Sequence, residues 1–310
     1  MMIDPLARLL PPISVWRDPL FRTDARSVKW GVSWMALRGR MFRWGVQMLI
    51  VLALSFVLML GLRLPSIISM ASYSSYYSPL TFVGEFSAVA FVGSIALNVI
   101  LDFVGISGAL GTISSDFNFR RADLIRTSLL RPTQIVEAKH VVAQVRVLRM
   151  TFRIMWGRAW IVVLTGAALL GSLIESRANG YSSAPAHQII LFGLIGALTA
   201  VTYVLEPYWR MKAVTSLGVA LSARTMHGAS ATLNAGFSLI AFWISQAVVI
   251  IGLGFALQLT IAFYVGDEWM AFIGLFGYWA IITAVIYSFY ARIVRSSLYQ
   301  AAHRLAALDT

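Results

Sequence analysis

What most constrains this chain is the recurrence of apolar runs long enough to cross a bilayer. A transmembrane helix needs about 20 predominantly apolar residues. Stretches near or above that length are Trp44–Leu64, Phe82–Val104, Ala159–Leu173, Ile189–Leu205, Ala235–Ile251 and Met270–Tyr290. The third is short and borrows Trp156 and Trp160 as interfacial anchors. Of 310 residues, 59% are hydrophobic and 12% charged, about half the charged share of an ordinary soluble domain. The expectation is an all-α polytopic membrane protein with six transmembrane helices.

Charge supplies the orientation. The chain carries 25 Lys+Arg against 13 Asp+Glu. In a soluble protein that excess would point to nucleic acid; between membrane runs it reports topology and contact with anionic lipid headgroups instead. Basic residues cluster before the first run (Arg8 to Arg43), between the second and third (Arg120 to Arg158), between the fourth and fifth (Arg210, Lys212, Arg224) and after the sixth (Arg292, Arg295, Arg304). Arg63 and Arg177 alone fall on the other side. The positive-inside rule therefore places both termini in the cytoplasm of a multi-pass protein of the cell (inner) membrane. Residues 1–43 read as a cytoplasmic N-terminal segment, 44–292 as the six-helix domain with a cytoplasmic elbow over 113–157, and 293–310 as a cytoplasmic tail. The N-terminal stretch has four prolines and no uninterrupted apolar core of a signal peptide, so the mature chain is expected to begin there.

Departures from a plain six-helix layout are visible. Between Ser27 and Trp44, Trp30, Trp34, Leu37 and Met41 share one helical face opposite Lys29, Ser33, Arg40 and Arg43. That segregation favours an interfacial N-terminal helix over an extended start to the first span. The apolar run from Phe82 continues to Ile113, about 48 Å of helix against a core of about 30 Å. Gly105, Gly108 and Gly111 along it either pack against a neighbour or soften a helix end. Residues 252–269 follow a complete span yet stay apolar. Gly252 and Gly254 would break the helix into a re-entrant hairpin before the sixth span; the alternative is one over-long tilted helix.

Several chemistries lack their signatures. There is no cysteine, so no disulfide or thiolate metal site. His140, His187, His227 and His303 have no zinc spacing, and neither a phosphate-binding loop nor a GxSxG elbow occurs. No catalytic residue, resident cofactor or metal site is expected, and no nucleic-acid partner. An enzyme acting on lipids would need an acid cluster that the sequence does not supply. The intramembrane polar candidates are Glu85, Asn98, Asp102 and Gln246, with Gln47 and Gln258 as further neutral groups. Without a relay of carboxylates and histidines at depth, this interior suits an amphiphilic passenger better than an ion.

The segment Asp123–His140 stands out as charged yet amphipathic. Leu124, Ile125, Leu129 and Leu130 give an apolar face, Pro132 interrupts the helix, and Thr133 is placed to cap the next one. On that second helix Lys139, Arg146, Arg149 and Arg153 line up as a basic stripe. Such a tip fits either a docking knob for a soluble partner or a solvated loop near lipid phosphates.

The run "ISSDFNFRRADLIRTSLLRPTQIVEAKH" resembles the segment after the second helix in type-2 ATP-binding-cassette (ABC) transporter permeases, the exporter family. Ile113, Ser114 and Asp116 match its start, Asp123, Leu124 and Ile125 its middle, Leu129, Leu130, Pro132 and Thr133 its leucines and turn, and Ile135 and Lys139 its end. Departures are Asp where Glu is usual, Arg131 before the proline, and Ala138 where Gly precedes the lysine. "AVTSLGVALSART" and "RDPLFRTDAR" are similar to two other family stretches. The resemblance implies a permease subunit that forms the translocation path within a homo- or heterodimer, lined by the second and fifth spans. A cytosolic ABC ATPase subunit, carrying ATP and magnesium, would dock on the elbow. The alternative is a non-transporting scaffold or assembly subunit of a larger complex.

Overall fold

A computed structural model describes residues 79–114, 130–178, 186–224, 228–263 and 268–307, together with Phe21, Asp24, Gly39, Arg43, Val46, Gln47, Ile50 and Leu54. Within those residues the chain is all-helical: α1 (Pro79–Leu110), α2 (Pro132–Ala178), α3 (Ala186–Arg224), α4 (Gly228–Phe263) and α5 (Glu268–Ala307). The α3 helix is central and packs on the other four. Three stretches are long and apolar enough to cross a membrane, Val89–Leu110, Ser230–Ala256 and Ile273–Ala307, and they mark the chain as a membrane protein.

Those three coincide with the runs expected from Phe82, Ala235 and Met270. The other three expected spans are not recovered among the described residues. Ala159–Leu173 and Ile189–Leu205 lie in α2 and α3, which also carry Arg158, Glu206 and Arg210. Trp44–Leu64 and the interfacial helix before it fall almost wholly outside the described residues.

Burial separates the molecule into two kinds of surface. Along the apolar helices large side chains face outward: Leu233 is 68% exposed, Phe237 70% and Ile251 71%. Water would make such a patch an aggregation site; acyl chains are as apolar as these residues and impose no such cost. The tightly buried residues gather instead where α2 starts and where α1, α3 and α5 end. One cluster joins Ala109 and Ile113 to Ile135, Val136, Val219, Ala301 and Leu305. Another joins Leu101, Val141, Val145, Leu148, Tyr208 and Met211 to Phe21 from the N-terminal segment.

Helix lengths follow. The 47 residues of α2 extend about 70 Å, more than twice a hydrocarbon core, so much of the helix stands clear of one. Most of the expected 113–157 elbow is thus the first half of a continuous helix. Pro132 opens it at the first helical position, where its missing N–H is no loss. The expected Thr133 cap is replaced by the Gln134 side chain reaching back: the Arg131 N–H donates to Gln134 Oε1 at 3.1 Å, as in one half of a capping box, while the Gln134 N–H donates to the Arg131 backbone carbonyl at 2.9 Å. The helix break expected at Gly252 and Gly254 is absent, because α4 runs through both to Phe263. Two glycines cost helix propensity but do not stop a helix with apolar neighbours on each side.

Close approach is set by small residues. Beside Gly105 a Cβ would lie 3.1 Å from Val214, and beside Gly108 3.5 Å from Val147, whereas Gly111 faces open space. The tightest crossing is at Gly218, where a Cβ would lie 2.6 Å from Ala109 Cβ and 2.8 Å from Ile106 O.

A candidate functional site: a buried ionic lattice joining the helices

The α1 helix places Ser94, Asn98 and Asp102 four residues apart, hence on one face, and all three are buried. A stripe of this kind inside an apolar span is costly unless partnered. The partners come from the other helices. Arg210 of α3 grips Asp102 with a two-pronged fork, Nε to Oδ1 at 2.7 Å and Nη2 to Oδ2 at 2.5 Å. Trp243 of α4 donates to the same Oδ2 at 2.8 Å.

Arg158 of α2, only 2% exposed, donates to Asn98 Oδ1 at 2.9 Å and to Glu206 Oε2 at 2.9 Å. It also donates to Tyr203 O at 2.7 Å. Local sequence explains that last bond. Pro207 lies inside α3 and has no N–H to offer the carbonyl four residues earlier, which is Tyr203; Arg158 supplies the missing donor. Its guanidinium also stacks 4.5 Å over the Tyr203 ring.

Glu206 completes the connections. Its carboxylate accepts from Arg158, from Arg210 Nη1 at 3.4 Å one turn along α3, and from the Tyr290 hydroxyl of α5. Gln246 of α4 donates to Tyr290 Oη at 2.6 Å. Two guanidiniums and two carboxylates thus balance, and every described helix contributes. Among the described residues no three His, Asp or Glu converge to hold a metal ion. The lattice offers no free base; what it can do is fix the relative position of five helices, or change partners when they move.

Of the intramembrane candidates, Asn98, Asp102 and Gln246 belong to this lattice. Glu85 lies in α1 ahead of the described side chains. Sequence reasoning missed Arg158, Glu206, Arg210, Trp243 and Tyr290 because the two arginines were counted as cytoplasmic connections. The available signals were Glu206 and Arg210 one turn apart and the four-residue stripe on α1.

The elbow residues divide. Asp116, Asp123, Leu124, Ile125 and Leu129 lie outside the described residues. Leu130 and Pro132 are half-buried and Thr133 is exposed. Ile135 is in the core cluster with Ala109, Val219 and Ala301. Lys139 is 3% exposed and pairs with Asp24, which removes it from the expected stripe; Arg146, Arg149 and Arg153 remain exposed. Just beyond, His140 Nε2 meets Lys212 O at 3.1 Å and Gln144 Nε2 meets His140 Nδ1 at 3.2 Å. Burial away from water holds this imidazole well below its usual value, at about 4.

Comparison with protein-family models, with curated proteins and with solved structures finds no match for the chain.

Proposed function

We propose that the chain is the permease subunit of an ATP-driven exporter, coupled to a separate cytosolic ABC ATPase. On this reading it has six spans, an interfacial N-terminal helix and both termini in the cytoplasm, and pairs with a second permease subunit. The observation that carries the reading is how the 115–129 connection is anchored. At its upstream end, the N–H groups of Ile113 and Ser114 both donate to Ser222 Oγ of α3 at 3.0 Å. At its downstream end, Ile135 packs with Ala109, Val219 and Ala301. A push on the connection therefore reaches α1, α2, α3 and α5 together. Each of these enters the ionic lattice further along.

Such a linkage is what coupling requires: a two-state element whose equilibrium an ATPase can bias from a distance. The resemblance of residues 113–139 to the exporter permeases names the partner class. Gentle purification from the native membrane tests the proposal. A soluble subunit with a phosphate-binding loop, retained in stoichiometric amount, is expected. Stoichiometric membrane proteins without any ATPase would overturn it in favour of a scaffold.

A further inference from the structure

Between α1 and α2 runs a groove that the lattice does not fill. Its volume, about 570 Å³, lies in the range of small-molecule sites. The helices are antiparallel there, since Asn98 meets Arg158 while Gly108 lies against Val147. The groove is consequently polarised along its length. Arg153 marks the end nearer the α1–α2 connection, Arg158 follows, and Leu97, Gly93 and Ile161 continue into the apolar span. Arg153 to Ile161 covers about 12 Å of helix. Glycines keep the space open: a Cβ at Gly93 or Gly157 would meet nothing within 4 Å.

Two features specify an occupant. Arg158 lines the groove without offering it a free donor, since both Nη atoms are engaged in the lattice and its Nε is buried. Arg153 is exposed and has no carboxylate partner among the described residues. Because the adjoining lattice is charge-balanced, Arg153 leaves the groove with net positive charge at one end and none along the rest. A ligand that complements it carries an acid at one end and an alkyl chain behind it.

We infer that this groove holds one anionic phospholipid of the adjoining leaflet. Its phosphate lies against the exposed Arg153 guanidinium, and one acyl chain runs along Leu97, Gly157 and Ile161. Free phosphate would answer Arg153 and leave the apolar length empty. A zwitterionic lipid would bring a second cation towards Arg153. The assignment rests on the chain spanning a bilayer and needs no transport activity.

The full-length protein, reconstituted in nanodiscs of equal phosphatidylglycerol and phosphatidylcholine and released for native mass spectrometry, provides the test. Wild type should retain phosphatidylglycerol in preference to phosphatidylcholine. Arg153→Gln should reduce that preference by about tenfold, the loss of roughly one charge-assisted contact. Gly157→Phe should abolish retention of both lipids by filling the chain's path. Both positions are exposed, so melting temperatures within a degree or two of wild type are expected. Inorganic phosphate in large excess should displace nothing. Equal retention of the two lipids by wild type, unchanged retention in both variants, or displacement by phosphate alone would each overturn the assignment.

Discussion

Asp102, inside the apolar span Val89–Leu110, shows with Arg210 how a buried charge is kept in such a place. Neither could be left alone there: removing one partner of a buried pair costs about 3–5 kcal/mol, whereas replacing both by apolar residues is often close to neutral. Asp102→Leu and Arg210→Met should each destabilise the purified protein by amounts of that order. The double variant should cost less than either, because Arg158 and Glu206 still balance without them. Thermal melting in detergent reads out this cycle. His140 makes a second residue-scale prediction. Its folded value of about 4 lies below the ordinary histidine value of 6.5, so the unfolded chain binds the proton first. The neutral imidazole's contribution is then complete above pH 6.5 and is lost as pH falls towards 4, roughly 3 kcal/mol over that window. His140→Gln should flatten melting temperature between pH 7 and 5 relative to wild type. The sequence made Asp102 and Asn98 legible as polar groups in an apolar run. Their partners were not legible, since an arginine in a basic segment looks the same whether it meets water or a carboxylate on another helix.

At the scale of elements, lengths and identities were readable and crossings were not. The over-long run from Phe82 is a helix as expected, and Pro132 starts a helix as its ring requires. Thr133 failed as a cap because Gln134 reaches back to Arg131, a competition that residue preferences alone do not decide. Gly252 and Gly254 failed as breaks because a glycine weakens a helix only by about 1 kcal/mol. The evenly spaced Gly105, Gly108 and Gly111 drew notice, yet the tightest contact uses Gly218, which pattern did not single out. Gly218→Ala should separate α1 from α3 and cost about 1–3 kcal/mol. Adding Ala109→Gly should recover part of the loss in melting temperature, since it removes the Cβ clash. The contact with Ile106 O, which is backbone, should keep the recovery incomplete.

For the whole molecule the informative contrast is between an exterior of exposed apolar side chains and a buried, small-residue bundle at one end. That contrast needs three dimensions, but its cause, long apolar helices with charges gathered at intervals, is plain in the sequence. Three of the cations that set the expected orientation, Lys139, Arg158 and Arg210, are consumed by ion pairs. The proposed orientation, with the α1–α2 connection and the end of α5 in the cytoplasm, then rests on the remaining arginines. The proposed role depends on what meets that connection. Because the chain has no cysteine, a single Thr133→Cys, exposed on the first turn of α2, reports on it alone. Cross-linking from this position in native membranes, followed by mass spectrometry of the adduct, is the most direct measurement. Peptides of a soluble ATPase with a phosphate-binding loop are predicted. Adducts confined to membrane proteins without such a subunit would contradict the permease account.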